Sequence, residues 1–153
     1  MAEIRRVLRP GAAALVTVDP VWTCSYGHHL HHFGPVAKCM PDWAHLLWTK
    51  EQMLDCLAGV WPGDSSPSLV EAANWVYDSP ALNRIGISRM RQIFRESGLA
   101  IEWMVSLEDQ TRDAERLALV SRTSQIAPED LMAKGLSVFL KKAPSGSSQR
   151  ETP

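Results

Sequence analysis

Residues 12–20 read Ala-Ala-Ala-Leu-Val-Thr-Val-Asp-Pro, AAALVTVDP. A short, almost continuously apolar run that stops at Asp-Pro suits a β-strand buried on both faces, as in a parallel sheet. A polar residue just past the carboxyl end of such a strand sits where α/β sheets hold their ligands. Asp19 is therefore a candidate substrate contact, although Asp-Pro is equally the chemistry of a plain turn. Upstream, residues 3–8 have helical character and stop at Pro10-Gly11, a turn signal.

Working outward, residues 20–83 are rich in Trp, His, Pro and Gly and read as an insertion with its own short helices. Thr49 and Gln52 form a T-x-x-Q capping box, with Met53, Leu54 and Leu57 on one apolar face and Gly59 placed as the C-terminal cap. A second helix is expected from near Ser66-Pro67, with proline in the first turn, to about Tyr77. The stretch WPGDSSPS between them is a loop by composition. Further on, Ser88 is placed to cap a helix bearing Met90, Ile93 and Phe94, ended by Gly98. Ile101, Trp103, Val105 and Leu107 then alternate with Glu102, Met104 and Ser106, the pattern of a strand. On that alternation Trp103 is a core residue, and Trp75 is one on its helix. A polar helix is expected over 110–122 with Leu117 and Val120 facing inward, then one helical turn opened by Pro128 and closed by Gly135. Residues 136–141, LSVFLK, read as the last strand. The order is α/β, with too few strands for a complete doubly wound sheet.

The chain has 153 residues, a formal net charge of -1, 45% hydrophobic and 22% charged residues. That length suits one domain with a real core, and the balance excludes global disorder and gives no electrostatic signal for nucleic acid or an anionic membrane. Arg5, Arg6 and Arg9 are better explained as a solvated helix face than as a phosphate patch. Cys24, Cys39 and Cys56 form no disulfide framework. No apolar run reaches the roughly 20 residues of a membrane span, and the start lacks a signal-peptide core. A reduced, cytoplasmic setting is the expectation. Residues 144–153, PSGSSQRETP, are polar and read as a disordered tail.

Three pieces in this order resemble the second half of a class I S-adenosylmethionine-dependent methyltransferase of the type 11 kind. RRVLRPGAAALVTVDP is similar to the family's helix–turn–strand, with Gly11-Ala12 in place of the more usual Gly-Gly. SRMRQIFRESGLAIEWMVSL resembles its later helix–glycine–strand unit, and LSVFLKKAP its closing strand. YGHHLHHFGPVAKCMPDWAHLLW is similar to a lid segment in one subgroup. The resemblance spans most of residues 3–143. It implies a partial Rossmann-like methyltransferase sheet, its strands resembling five, seven and six of the family in that spatial order. Strand seven is antiparallel, and residues 20–83 form a helical lid. It also implies the cofactor S-adenosylmethionine and a small-molecule methyl acceptor. The family's cofactor site needs a glycine-rich turn, and this chain has no G-x-G-x-G. No cofactor-binding residue is assigned, and the chain is not expected to bind the cofactor or to be active alone. The strand Ala13–Val18 would lack its neighbour, which points to a chain supplying the other half or to a homodimer through that edge.

The stretch CSYGHHLHHF, residues 24–33, holds four of the five histidines. Cys24, His28, His32 and Cys39 are ligand types that zinc accepts. The spacing is not C-x-x-C, however, and Gly27 and Gly34-Pro35 bracket the run against a stable helix, so no metal ligand is assigned. Pocket lining is the preferred reading. Histidine has an ordinary pKa near 6.5 and suits proton removal, so the candidate base lies among His28, His29, His31, His32 and His45. Substrate contacts are expected from Asp19, Tyr26, His28, His29, His32, Trp43 and His45. Any single imidazole is more often a surface or capping group. The rival classes are a non-catalytic partner subunit derived from a methyltransferase and, behind it, a small zinc module.

Overall fold

The computed structural model describes residues 1–33, 38–64, 66–110 and 113–144, the side chain of His32 excepted. The residues expected to form a tail fall, from 145 onward, outside the described residues. Helix α1 (Ala2–Val7) leads through a turn at Gly11 (φ +79°) into β1 (Ala13–Val18). A loop with one 3-10 turn (Leu30–His32) follows, then α2 (Ala44–Leu47), α3 (Lys50–Leu57) and α4 (Leu69–Asp78). Helix α5 (Ile87–Arg95), β2 (Ala100–Glu108), α6 (Ala114–Ser124), α7 (Pro128–Leu131) and β3 (Ala133–Lys141) complete it. The expected α/β composition is present.

The three strands form one sheet in the order β1-β3-β2, and both pairings are antiparallel. Leu15 lies opposite Phe139, and Phe139 opposite Trp103. One face of the sheet carries Leu136, Val138 and Leu140, all fully buried, and packs with Met90 and Phe94 of α5 and Ile4 of α1. The opposite face is bare among the described residues: Leu15 is 62% exposed, Val105 52% and Trp103 42%. Three expectations are corrected by this layering. β1 is an edge strand half-buried on one face and open on the other, not a strand buried on both. Trp103 is a surface residue stacked on Phe139 at 5.8 Å between ring centroids. A bulge between Ile101 and Trp103 puts Ile101 on the core face and Trp103 on the open one, which also turns Met104 inward.

Residues of α2, α3 and α4 gather a second core from Ala44, Met53, Leu57, Ala73 and Val76, so the insertion is helical as expected. Trp43, Val120 and Leu131 make a third cluster, with Leu117 packed beside it, as expected of that helix. The Thr49–Gln52 capping box is formed, both bonds present. Ala58, however, is the C-cap of α3 in place of Gly59. Helix α4 is capped by a second box, Ser68 with Glu71, which leaves Pro67 outside the helix. Ser88 lies inside α5, whose N-cap is Gly86. Gly98, with φ +69°, follows that helix as expected. Gly135 belongs to β3, not to a helix end: a Cβ there would lie 2.6 Å from the carbonyl oxygen of Val18.

Candidate functional site

The loop after β1 is drawn back across the sheet's end by hydrogen bonds to distant elements. Val21 N–H donates to the carbonyl of Lys134 at 2.7 Å. Thr23 Oγ1 donates to the carbonyl of Asp130 at 3.1 Å. Ser25 N–H donates to Asp109 Oδ2 at 3.0 Å, and Asp109 is buried at the end of β2. Gly27 closes the loop on itself, because a Cβ would fall 2.2 Å from the carbonyl oxygen of Trp22. The loop is thus anchored where the carboxyl ends of β1 and β2 meet the start of β3.

This anchoring gathers an aromatic and imidazole cluster. His45 packs edge-on against Trp22 at 4.7 Å and against His28 at 5.6 Å, and Tyr26 against His31 at 5.5 Å. His29 and His31 are tilted neighbours at 6.1 Å. The two buried imidazoles have structural partners. His28 Nδ1 accepts from Leu30 N–H at 3.0 Å, so its proton sits on Nε2. His45 Nε2 donates to the carbonyl of Trp22 at 2.7 Å, which leaves Nδ1 a buried acceptor without a hydrogen-bond partner among the described residues. Burial, aided by the neighbouring imidazoles, pushes the pKa of His28 down to about 3. Burial pushes His45 down to about 4, although the bond to Trp22 works the other way. Both rings are neutral at pH 7 and far from the poise of a general base.

The remaining positions divide by exposure. Trp43 is fully buried and donates from Nε1 to the carbonyl of Thr23 at 3.2 Å, so it supports the loop and offers no substrate surface. Tyr26 is half-buried; desolvation first, then the charges of Cys24, Asp19 and Asp109, raise its pKa, so it is a phenol and a donor. His29 and His31 are also half-buried. Asp19 is exposed and 3.8 Å from Lys134 Nζ, a loose pair at the end of β1. The side chain of His32 lies outside the described residues. Burial holds Cys24 up at about 12, an unreactive thiol. Among the described residues no group of three or more His, Cys, Asp or Glu side chains could hold a metal ion.

Two organising carboxylates were not singled out in the sequence. Asp109 holds the loop, as above. Asp130 reaches from α7 to the first turn of α5, accepting from Ser88 Oγ at 2.8 Å and Ser88 N–H at 3.3 Å, with Arg91 3.9 Å away. Their partners lie 84 and 42 positions away, so no local spacing announces them. No match to the chain was found among protein-family models, curated proteins or solved structures. Among the described residues no helix is long and apolar enough to cross a membrane.

Proposed function

We propose that this chain supplies the substrate-and-lid half of a class I S-adenosylmethionine-dependent methyltransferase fold and works with a chain that binds the cofactor. One observation carries the reading. The sheet runs β1-β3-β2 with the last strand in the middle, antiparallel to both neighbours. The sequence resemblance implies that order for strands five, seven and six. The outer edge of β1 then falls where the family's sheet continues into its cofactor half. Beside it, Val16, Val18, Ile85, Met90 and Phe94 line an apolar groove of about 220 Å³ between β1 and α5. A strand docked there would satisfy the backbone groups of that edge.

The residues present do not fit S-adenosylmethionine. The chain lacks G-x-G-x-G. Gly27 and Gly135 accommodate the chain's own backbone, so neither of these two glycines serves a ligand. No step is therefore routed through the cofactor. The contribution of this chain is positional: the Tyr26 phenol donates to an acceptor, and His29 or His31 takes its proton. His28 and His45 hold the loop in shape. A non-catalytic partner subunit is the second reading, and the bare sheet face favours it.

Calorimetric titration of S-adenosylmethionine into the purified chain should show no saturable heat. The complex it forms with its partner should bind one cofactor and transfer labelled methyl. Saturable binding by the chain alone refutes the half-domain reading. A stable complex with no cofactor site refutes it in favour of the non-catalytic subunit.

A further inference from the structure

At the end of the sheet opposite the histidine loop, α1, the last turn of α5 and the residue after β3 border a cavity of about 760 Å³. Its lining includes Arg5, Arg6, Lys142, Glu96, Ser97 and Ile93. That volume lies in the range of small-molecule sites. We propose that this cavity binds a small phosphomonoester, with the phosphate held between Arg5 and Lys142 and the organic body laid against Ile93.

Two cations on the lining are held in place without a carboxylate. Lys142 Nζ donates to the carbonyls of Arg5 and Leu8, both at 2.8 Å. An ammonium has three donors, so one N–H is left for a ligand. The Arg5 guanidinium lies against Gly98, where a Cβ would fall 2.7 Å from Nη1 and 3.0 Å from Cζ. Among the described residues no carboxylate pairs with Arg5 or Lys142. The nearby acids are engaged elsewhere. Glu3 accepts from Arg6 Nε at 2.8 Å. Glu96, on the lining, accepts from Gln92 Nε2 at 2.6 Å and lies 3.9 Å from Arg89. At the end of α5 the carbonyls of Gln92 and Phe94 are taken by Glu96 N–H at 2.9 Å and Ser97 N–H at 3.1 Å, so these two make no demand on Arg5.

Charge selects the ligand class. Two uncompensated cations line the cavity, and a phosphomonoester carries about -1.5 to -2 at pH 7, where a carboxylate carries a single charge. The planar fork of an arginine bonds two oxygens of one oxyanion, and an ammonium adds a point charge beside it. Half-buried Ile93 gives the organic part an apolar wall. The three arginines near the start of the chain therefore divide. Arg6 is neutralised by Glu3, Arg9 lies off the lining, and Arg5 keeps its charge for the cavity. The site uses neither the histidine loop nor the edge of β1, so it stands independently of the methyltransferase reading.

The test is a titration of phenyl phosphate into the full chain at fixed ionic strength, followed by amide and arginine Nε resonances. Saturable shifts are expected at Arg5, Ser97, Gly98 and Lys142, with a dissociation constant on the order of 1 mM, as a few exposed charge-assisted bonds supply. Arg5→Gln should weaken binding about tenfold, and Arg5→Lys, which keeps the charge and loses the fork, by about threefold. Arg9→Gln should leave it unchanged. Benzoate, with the same ring and a single charge, should bind more weakly than phenyl phosphate. A wild-type chain with no saturable shift at about 20 mM, well above that constant, overturns the proposal. So does binding that survives Arg5→Gln, or an equal loss in Arg9→Gln, which would mean diffuse attraction in place of a site. Benzoate bound as tightly as phenyl phosphate overturns the phosphomonoester assignment.

Discussion

Acid should loosen this protein well before its carboxylates titrate, because of two imidazoles. His28 and His45 have folded pKa values pushed down to about 3 and about 4, chiefly by burial. In the unfolded chain both return to about 6.5. Above pH 6.5 neither state binds the protons and the two groups leave stability unchanged. Below it the unfolded chain takes up a proton at each site and the folded chain does not. Stability then falls as pH falls, by about 1.4 kcal/mol per pH unit for each group. The fall levels off once the folded pKa values are passed. Between pH 6.5 and 5 the pair removes roughly 3–4 kcal/mol, against a typical total of about 5–15. Urea unfolding at a series of pH values measures it directly, and the slope should approach two protons. His28→Asn keeps an acceptor for Leu30 N–H, and His45→Gln keeps a donor for the Trp22 carbonyl. Each should remove about one proton from the slope while leaving the fold intact at pH 7. A denaturation midpoint that stays flat from pH 7 to 5 would refute the claim that these rings are buried and neutral. An unchanged slope in both variants would refute their assignment.

Asp130→Ala should cost about 1–2 kcal/mol in urea unfolding, because it removes the acceptor that caps α5 through Ser88. Gly135→Ala should lower the thermal midpoint, with a loss of about 1–3 kcal/mol, since the new methyl meets the Val18 carbonyl oxygen at 2.6 Å and Leu107 Cδ1 at 3.1 Å. Leu140→Ala empties a fully buried site on the core face of β3 and should cost about 2–5 kcal/mol by the same assay. A loss under about 0.5 kcal/mol, the range of ordinary surface changes, would contradict the burial on which each argument rests.

What could be read along the chain was what neighbours a few residues apart decide. The Thr49–Gln52 box, the turn at Gly11, the positive φ at Gly98 and the existence of all three strands follow from local hydrogen bonding and side-chain periodicity. Ser68 and Glu71 carry the same kind of local signal, a serine and a glutamate three residues apart. The histidine run was legible as a cluster. Its internal division was not: buried, neutral His28 and His45 are separated from half-buried His29 and His31 by differences of burial.

The rest waited on tertiary structure. Asp109 and Asp130 became organising groups only when folding delivered Ser25 and Ser88 to them. The faces of β2 were decided by its pairing with β3, because one bulged residue at Glu102 breaks the alternation and sends Trp103 outward. The burial of β1 was decided by which side the helices took. An apolar strand states that it can be covered, and periodicity alone cannot state from how many sides. That depends on the helices and chains brought against it, and among the described residues α1 and α5 cover one face and leave the other bare.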